Sequence, residues 1–232
     1  MLPLRDNVPT RTFPVVTVGL IGANLAVWIW ELTGTPWQED VLRDGFYPCT
    51  IHGPCVGFAA AHHLPWYEGA FTGMFLHAGW QHVLGNMLFL WIFGNNVEDA
   101  LGRVRFLLWY LAAGLAAIAL QTFVTLQYST AAGASVPNVG ASGAIAGVLG
   151  AYFVLLPNAR VLTWILFFLR EIPAGLFLGF WFLYQFLLGN MALQHPEAGG
   201  GVAFFAHVGG FAFGAVTVKL VQKRRPLRPS YY

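Results

Sequence analysis

Six stretches of this chain are apolar for long enough to cross a lipid bilayer, and that limits the available folds more than any other feature. A hydrocarbon core takes about 20 mostly apolar residues per helix, with somewhat fewer at the short end. The segments run at 14–33, 80–97, 104–126, 141–157, 174–192 and 203–221. Lipid offers a backbone amide no partner, so such segments satisfy their own hydrogen bonds as helices. The expected fold is an all-α membrane protein, a six-transmembrane-helix bundle over 14–222. It is flanked by flexible tails at 1–13 and 223–232 and carries one long outer loop at 34–79. Composition agrees, with 57% of the residues hydrophobic and only 9% charged, against about 25% charged in soluble domains.

Charge sets the orientation. Six spans put both termini on one side. If that side is the cytoplasm, Arg5, Arg11, Arg103, Arg105, Arg160, Arg170, Lys219, Lys223, Arg224, Arg225 and Arg228 lie inside and only Arg43 lies outside. Eleven of twelve cations then obey the positive-inside bias, so both termini are expected to be cytoplasmic. The net charge is +2 and no basic run interleaves with aromatics, which argues against nucleic acid as a partner. Arg5 and Arg11 precede the first apolar stretch without a small-residue cleavage site after it, so that span is expected to be retained. Segment 161–169 (VLTWILFFL) is too short to span and is cut off by Arg170, Glu171 and Pro173; it reads as an interfacial connector. The aromatics of the outer loop (Phe46, Tyr47, Phe58, Trp66, Tyr67, Phe71) argue for order there.

Polar residues inside spans are expensive and therefore informative. His82 and Asn86 lie in the first two turns of the second span, Ser142 begins the fourth, and His207 is about one turn into the sixth. All three spans start on the outer side, so the four residues share one shallow depth. His82 and Asn86, four residues apart, occupy one helix face and can donate toward one point. Ser142 sits in Gly140-Ala141-Ser142-Gly143. The free N–H groups of a first helical turn favour developing negative charge, as an acyl-transfer nucleophile requires. Gly143, Gly147 and Gly150 form one small-residue stripe; His207, Gly210 and Gly214 form another. Helices meeting along such stripes approach closely. That meeting would bring His207 within reach of the Ser142 hydroxyl proton.

These residues resemble the rhomboid family of intramembrane serine proteases. Gly140 to Gly143 is similar to its G-x-S-G nucleophile motif, "HVLGN" at 82–86 to its H-x-x-x-N oxyanion motif, and "AHVGGFAFG" at 206–214 to its final helix. "VEDALGRVRFLLWYLAAG" at 97–114 is similar to the stretch leading into its third helix. The resemblance covers roughly 14–222 and implies a rhomboid-like bundle that cleaves membrane proteins through a Ser–His dyad. Ser142 would be the nucleophile and His207 the general base and acid. The oxyanion hole would be His82, Asn86 and the Ser142 backbone N–H, where losing one donor typically costs on the order of 100-fold in rate. It implies no cofactor and no metal, transmembrane protein substrates in the lipid bilayer, and, for a minimal six-span form, a prokaryotic plasma membrane. Two features depart from the pattern. Some members carry an aromatic four residues after the serine, packed on the histidine; here that residue is Ala146, so another group must orient His207. The Trp-Arg pair seen in the first outer loop of some members is absent.

His77 either supports the site by hydrogen bonding or sits at the interface, and Gly140, Gly143 and Gly210 are supporting residues. An oxidising exterior permits a Cys49–Cys55 disulfide. A zinc site on those cysteines and His52 would lack a clear fourth ligand. Glu98, beside Arg103 and Arg105, is expected to organise the inner ends of spans 2 and 3. The aromatic "FLGFWFLYQFLL" of span 5 reads as lipid-facing, and in this family that helix borders substrate entry. A transporter is the main rival class, but no acid lies mid-membrane and the polar cluster keeps to one leaflet. An inactive relative would usually lack the serine or the histidine, and this chain has both.

Overall fold

The computed structural model describes residues 1–33, 37–194 and 202–229. Residues 34–36 of the expected outer loop and 230–232 of the expected C-terminal tail lie outside the described residues, as do 195–201. In chain order the elements are β1 (Leu2–Asp6), α1 (Val15–Thr33), α2 (Trp37–Asp44), a 3-10 turn (Pro48–Thr50), α3 (Phe58–Ala61), α4 (Trp66–Thr72), α5 (Trp80–Leu101), α6 (Arg103–Tyr128), α7 (Ala131–Ala134), α8 (Ser142–Leu155), β2 (Arg160–Ile165), β3 (Phe168–Pro173), α9 (Ala174–Gln194) and α10 (Phe204–Val221).

A helix stands at each of the six apolar segments, but the six are not alike. Among the described residues, four helices (α1, α6, α9 and α10) are long and apolar enough to cross a membrane. The molecule is thus a mostly helical integral membrane protein. Helix α8 has only 14 residues and is buried continuously from Ala144 to Tyr152. A helix apolar all round belongs in a core, and α8 is the central post against which α5, α6 and α10 pack. Helix α5 is long, but its last turns carry Asn95, Asn96, Glu98 and Asp99. Those acids are used. Glu98 accepts from the backbone N–H of Val16 (3.1 Å) and of Thr17 (2.7 Å) and from the Thr17 hydroxyl (2.8 Å). A carboxylate thereby satisfies the orphan donors that begin α1. Asp99 pairs with Arg11 at 2.6 Å. Glu98 therefore ties α5 to α1, not to α6 as its neighbouring arginines suggested.

The expected all-α fold is corrected by a small sheet. Strands β1, β2 and β3 form an antiparallel sheet in that order. The interfacial connector is its hairpin, and the expected flexible N-terminal tail supplies β1. The physical reason is backbone accounting. Val161 and Thr163 alternate as buried residues along β2, and pairing satisfies amides that a coil beside the bilayer would leave exposed. The hairpin tip, Leu166 and Phe167, is 81% and 90% exposed. The expected C-terminal tail is also anchored where it begins, since the backbone N–H groups of Lys223 and Arg224 both donate to the Ala100 carbonyl at 2.9 Å.

Asp6 at the end of β1 accepts from the Tyr152 hydroxyl (2.6 Å) and the Asn96 amide (2.7 Å). Burial outweighs the Tyr152 bond and the backbone bonds at Val8 and Asp6, and pushes the carboxyl from its ordinary 3.8 up to about 6. The fold thus prefers protonated Asp6. Its stabilising contribution is full below 3.8 and is lost as pH rises through about 6. Asp6→Asn keeps an acceptor without the charge. The variant is expected to melt at or above wild type at pH 7, by at most about 3 kcal/mol, and the gap should close toward pH 4. Parallel melting curves from pH 4 to 7 would disprove this.

Candidate active site

Glycines bring α8 and α10 into backbone contact. A Cβ added at Gly210 would lie 2.0 Å from the Gly143 carbonyl oxygen, one at Gly214 would lie 1.9 Å from that of Gly147, and one at Gly150 would lie 2.0 Å from that of Phe211. No side chain fits between the two stripes. The serine precedes the first glycine of one stripe, and the histidine is one turn before the first glycine of the other. Close approach therefore places the Ser142 Oγ 2.8 Å from His207 Nε2.

A second group of residues lies beside Ser142. Gly140 has φ +117°, a conformation open to glycine, and its N–H donates to the Gly73 carbonyl at 2.8 Å. A Cβ there would sit 2.6 Å from His82 Nε2 and 3.7 Å from Asn86 Nδ2. His82 and Asn86 thus close on the backbone just ahead of the serine. The Ala78 N–H donates to His82 Nδ1 at 3.3 Å. That bond leaves the ring proton on Nε2, facing the cavity. The Nδ2 of Asn86 is buried and makes no hydrogen bond among the described residues. A buried amide donor without a partner is costly in a folded chain and signals a ligand or a reacting group.

His77 is fully buried behind this pair and does not line the cavity. Its backbone N–H donates to Glu31 (3.2 Å), its Nδ1 to the Phe75 carbonyl (3.0 Å), and its ring packs edge-on against His82 with centroids 5.2 Å apart. Burial, reinforced by nearby His82, lowers it to about 4, so it is neutral at pH 7 and acts as a packing support for the His82 ring.

The other face of His207 is held by α9. Gln185 Oε1 lies 2.7 Å from His207 Nδ1, and the Trp181 indole lies against the imidazole with centroids 5.8 Å apart. These are the groups that orient the ring in place of an aromatic at 146, where Ala146 is fully buried. Sequence reasoning assigned this stretch to lipid and missed both. The signal was present, because Gln185 and Asn190 are the two amide side chains of a mostly apolar span and carry the same cost that drew notice to His82 and Asn86.

His82, Asn86, Ser142, Trp181, Gln185 and His207 line one cavity of about 410 Å³. The loop from 137 to 139 also borders it. That loop is fixed by the described part of the outer loop, since Phe46 and Asn138 exchange backbone hydrogen bonds at 3.2 and 2.7 Å. Phe46 and Tyr47 are buried while Phe58, Trp66, Tyr67 and Phe71 are exposed, so only part of the aromatic set builds the loop's interior. Cys49 and Cys55 are joined by a disulfide, which removes both thiolates from any zinc reading.

The family model described as "Rhomboid domain" matches residues 65–224. "Rhomboid protein 1, mitochondrial" of Saccharomyces cerevisiae is 31% identical over 240 residues, covering 97% of this chain and 61% of that protein. "Presenilin-associated rhomboid-like protein A, mitochondrial" of Danio rerio is 38% identical over 87 residues, 38% of this chain and 22% of that protein. "Rhomboid protease GluP" of Bacillus subtilis is 41% identical over 106 residues, 45% of this chain and 18% of that protein. The chain spans less than two thirds of the length of each of these relatives.

Proposed function

This chain belongs to the rhomboid family, and from that premise we propose that it is an intramembrane serine endopeptidase that hydrolyses peptide bonds in or near the transmembrane segments of other membrane proteins. The observation that carries the reading is the 2.8 Å contact between Ser142 Oγ and His207 Nε2, in a cavity that also receives the side chains of His82 and Asn86.

His207 Nε2 takes the proton as Ser142 Oγ attacks the scissile carbonyl. The oxyanion that forms accepts from His82 Nε2–H, Asn86 Nδ2–H and the Ser142 backbone N–H, the last at the first turn of α8. Collapse breaks the C–N bond, and the imidazolium returns its proton to the leaving amine. Water, deprotonated by the same ring, then hydrolyses the acyl-enzyme and frees Ser142. Among the described residues no acid completes a triad, and the second ring nitrogen meets the Gln185 amide.

All six helices are spans in this reading. Helix α8 is inside the bundle, where it need not match the bilayer thickness, and α5 carries its acids at the inner end. Both termini lie on the cation-rich side of the membrane, following the eleven cations there. Two of the relatives are mitochondrial by name, so they lend no support to the expected prokaryotic plasma membrane, and the proposal is an integral membrane location alone.

The test is labelling by a fluorophosphonate probe in detergent or liposomes. Wild type should be labelled, Ser142→Ala should not, and a transmembrane reporter should be cut only by the protein that labels. An unlabelled wild type that cuts nothing would end the reading.

A further inference from the structure

His207 has both ring nitrogens in use, and their partners come from different helices. Nε2 faces Ser142 on α8 and Nδ1 faces Gln185 on α9. We infer that Gln185 is the positioning residue of this site, a neutral acceptor from α9 that fixes the His207 tautomer able to serve as base. This rests on the proteolytic reading of Ser142 and His207.

A neutral imidazole carries one proton, and the hydrogen bond at one nitrogen decides the role of the other. With Gln185 Oε1 at 2.7 Å, the proton belongs on Nδ1 and is donated to the amide oxygen. Nε2 then keeps its lone pair for the Ser142 hydroxyl proton. Without that acceptor the alternative tautomer, protonated at Nε2, would donate to Ser142 and be useless as a base. Gln185 is 8% exposed and, among the described residues, its Oε1 has this single partner. A buried carbonyl oxygen aimed at a ring N–H is a strong constraint on that ring.

The source of the acceptor matters as much as its chemistry. Helix α9 is the least buried of the four long apolar helices, with 22% of its span inside the protein. On its outer side an apolar groove of about 700 Å³ runs against α5, lined by Phe177, Phe180 and Leu187. Groove and catalytic cavity share three lining residues, Phe89, Trp181 and Gln185. Gln185 is therefore part of the wall between lipid-facing groove and serine. Its hydrogen bond exists only while α9 lies against α10, so the base is correctly set when that wall is closed.

Two variants separate acceptor from packing. Gln185→Met keeps length and volume and removes the acceptor; Gln185→Glu keeps the acceptor. In steady-state cleavage of a transmembrane reporter, Gln185→Met should lose about 10- to 100-fold in kcat with KM unchanged within about threefold. Gln185→Glu should recover most of that loss. Nitrogen NMR of the His207 ring should find the Nδ1–H tautomer in wild type and a mixture in Gln185→Met. Wild-type kcat in Gln185→Met, equal losses in both variants, or an Nε2–H ring in wild type would each overturn the inference. Absence of fluorophosphonate labelling in wild type would instead overturn the proteolytic reading, and the ring tautomer would still decide the role of Gln185.

Discussion

Cleavage of a transmembrane reporter is expected to fall by at least about 10⁴-fold in Ser142→Ala and in His207→Ala alike, with the double variant no worse than either. The reason is the single proton held between Ser142 Oγ and His207 Nε2 at 2.8 Å. A hydroxyl without a base is a weak nucleophile, and a base without the hydroxyl has nothing to activate. Two groups that act on one proton contribute together, so their losses do not add. Both variants should still fold. Ser142→Ala leaves the glycine stripes intact, and His207→Ala costs mainly the bond to Gln185, on the order of 1–3 kcal/mol for a buried acceptor left alone. The residual rate comes from His82, Asn86 and the first turn of α8, which remain in place. Single-turnover rates in proteoliposomes, at saturating enzyme, measure the effect without interference from substrate binding. Additive losses in the double variant, or a His207→Ala rate within tenfold of wild type, would show that the two groups do not work as a pair.

Much of this site was legible from periodicity alone. Membrane helices expose the cost of every polar residue, so His82, Asn86, Ser142 and His207 stood out, and alternation of span direction gave them one depth. The glycine stripes showed that α8 and α10 could approach closely if they met, because only a missing Cβ permits it. Three things were not legible. The hairpin β2–β3 has a Leu166–Phe167 turn with none of the glycine or asparagine that usually marks one, and its strand-forming residues also suit a lipid interface. The pairing of β1 with β2 joins residues 155 to 162 positions apart, from Asp6↔Val161 to Leu2↔Trp164; no local pattern reports such a partner. Gln185 was hidden by its company, twelve residues of FLGFWFLYQFLL in which aromatic bulk suggested lipid. Its meaning depends on which way α9 faces, and α9 has too little amphipathic contrast to tell.

Gly210→Ala should be among the most damaging single-methyl changes in the chain, and Gly19→Ala or Gly22→Ala among the least. All three are glycines within helices, so intrinsic helix preference favours alanine at each by up to about 1 kcal/mol. What differs is the space. A Cβ at Gly19 or Gly22 meets nothing within 4 Å, whereas one at Gly210 meets the Gly143 carbonyl oxygen at 2.0 Å and the Gly147 nitrogen at 3.2 Å. Those are backbone atoms, with no rotamer to turn aside. Nor can α8 retreat, because its opposite side is already tight. Cβ atoms built at Gly143 and Gly147 would lie 2.7 and 2.6 Å from the Ala117 and Ala113 methyls of α6. The added methyl must therefore push α10 outward, and His207 moves with it, three residues away on the same helix. Overpacking of this kind typically costs about 1–3 kcal/mol, which for a chain of this length lowers the melting midpoint by about 2–12 °C. A displacement of about 1 Å between reacting groups costs about 100-fold in rate, so cleavage should fall by more than the melting change implies. The α1 variants should melt at or slightly above wild type and cut normally. Melting curves and reporter cleavage measured on the three proteins together decide the matter. Gly210→Ala that melts and cuts like wild type would mean that the contact between α8 and α10 is looser than 2.0 Å allows, and the coupling between small-residue packing and the Ser142–His207 distance would be wrong.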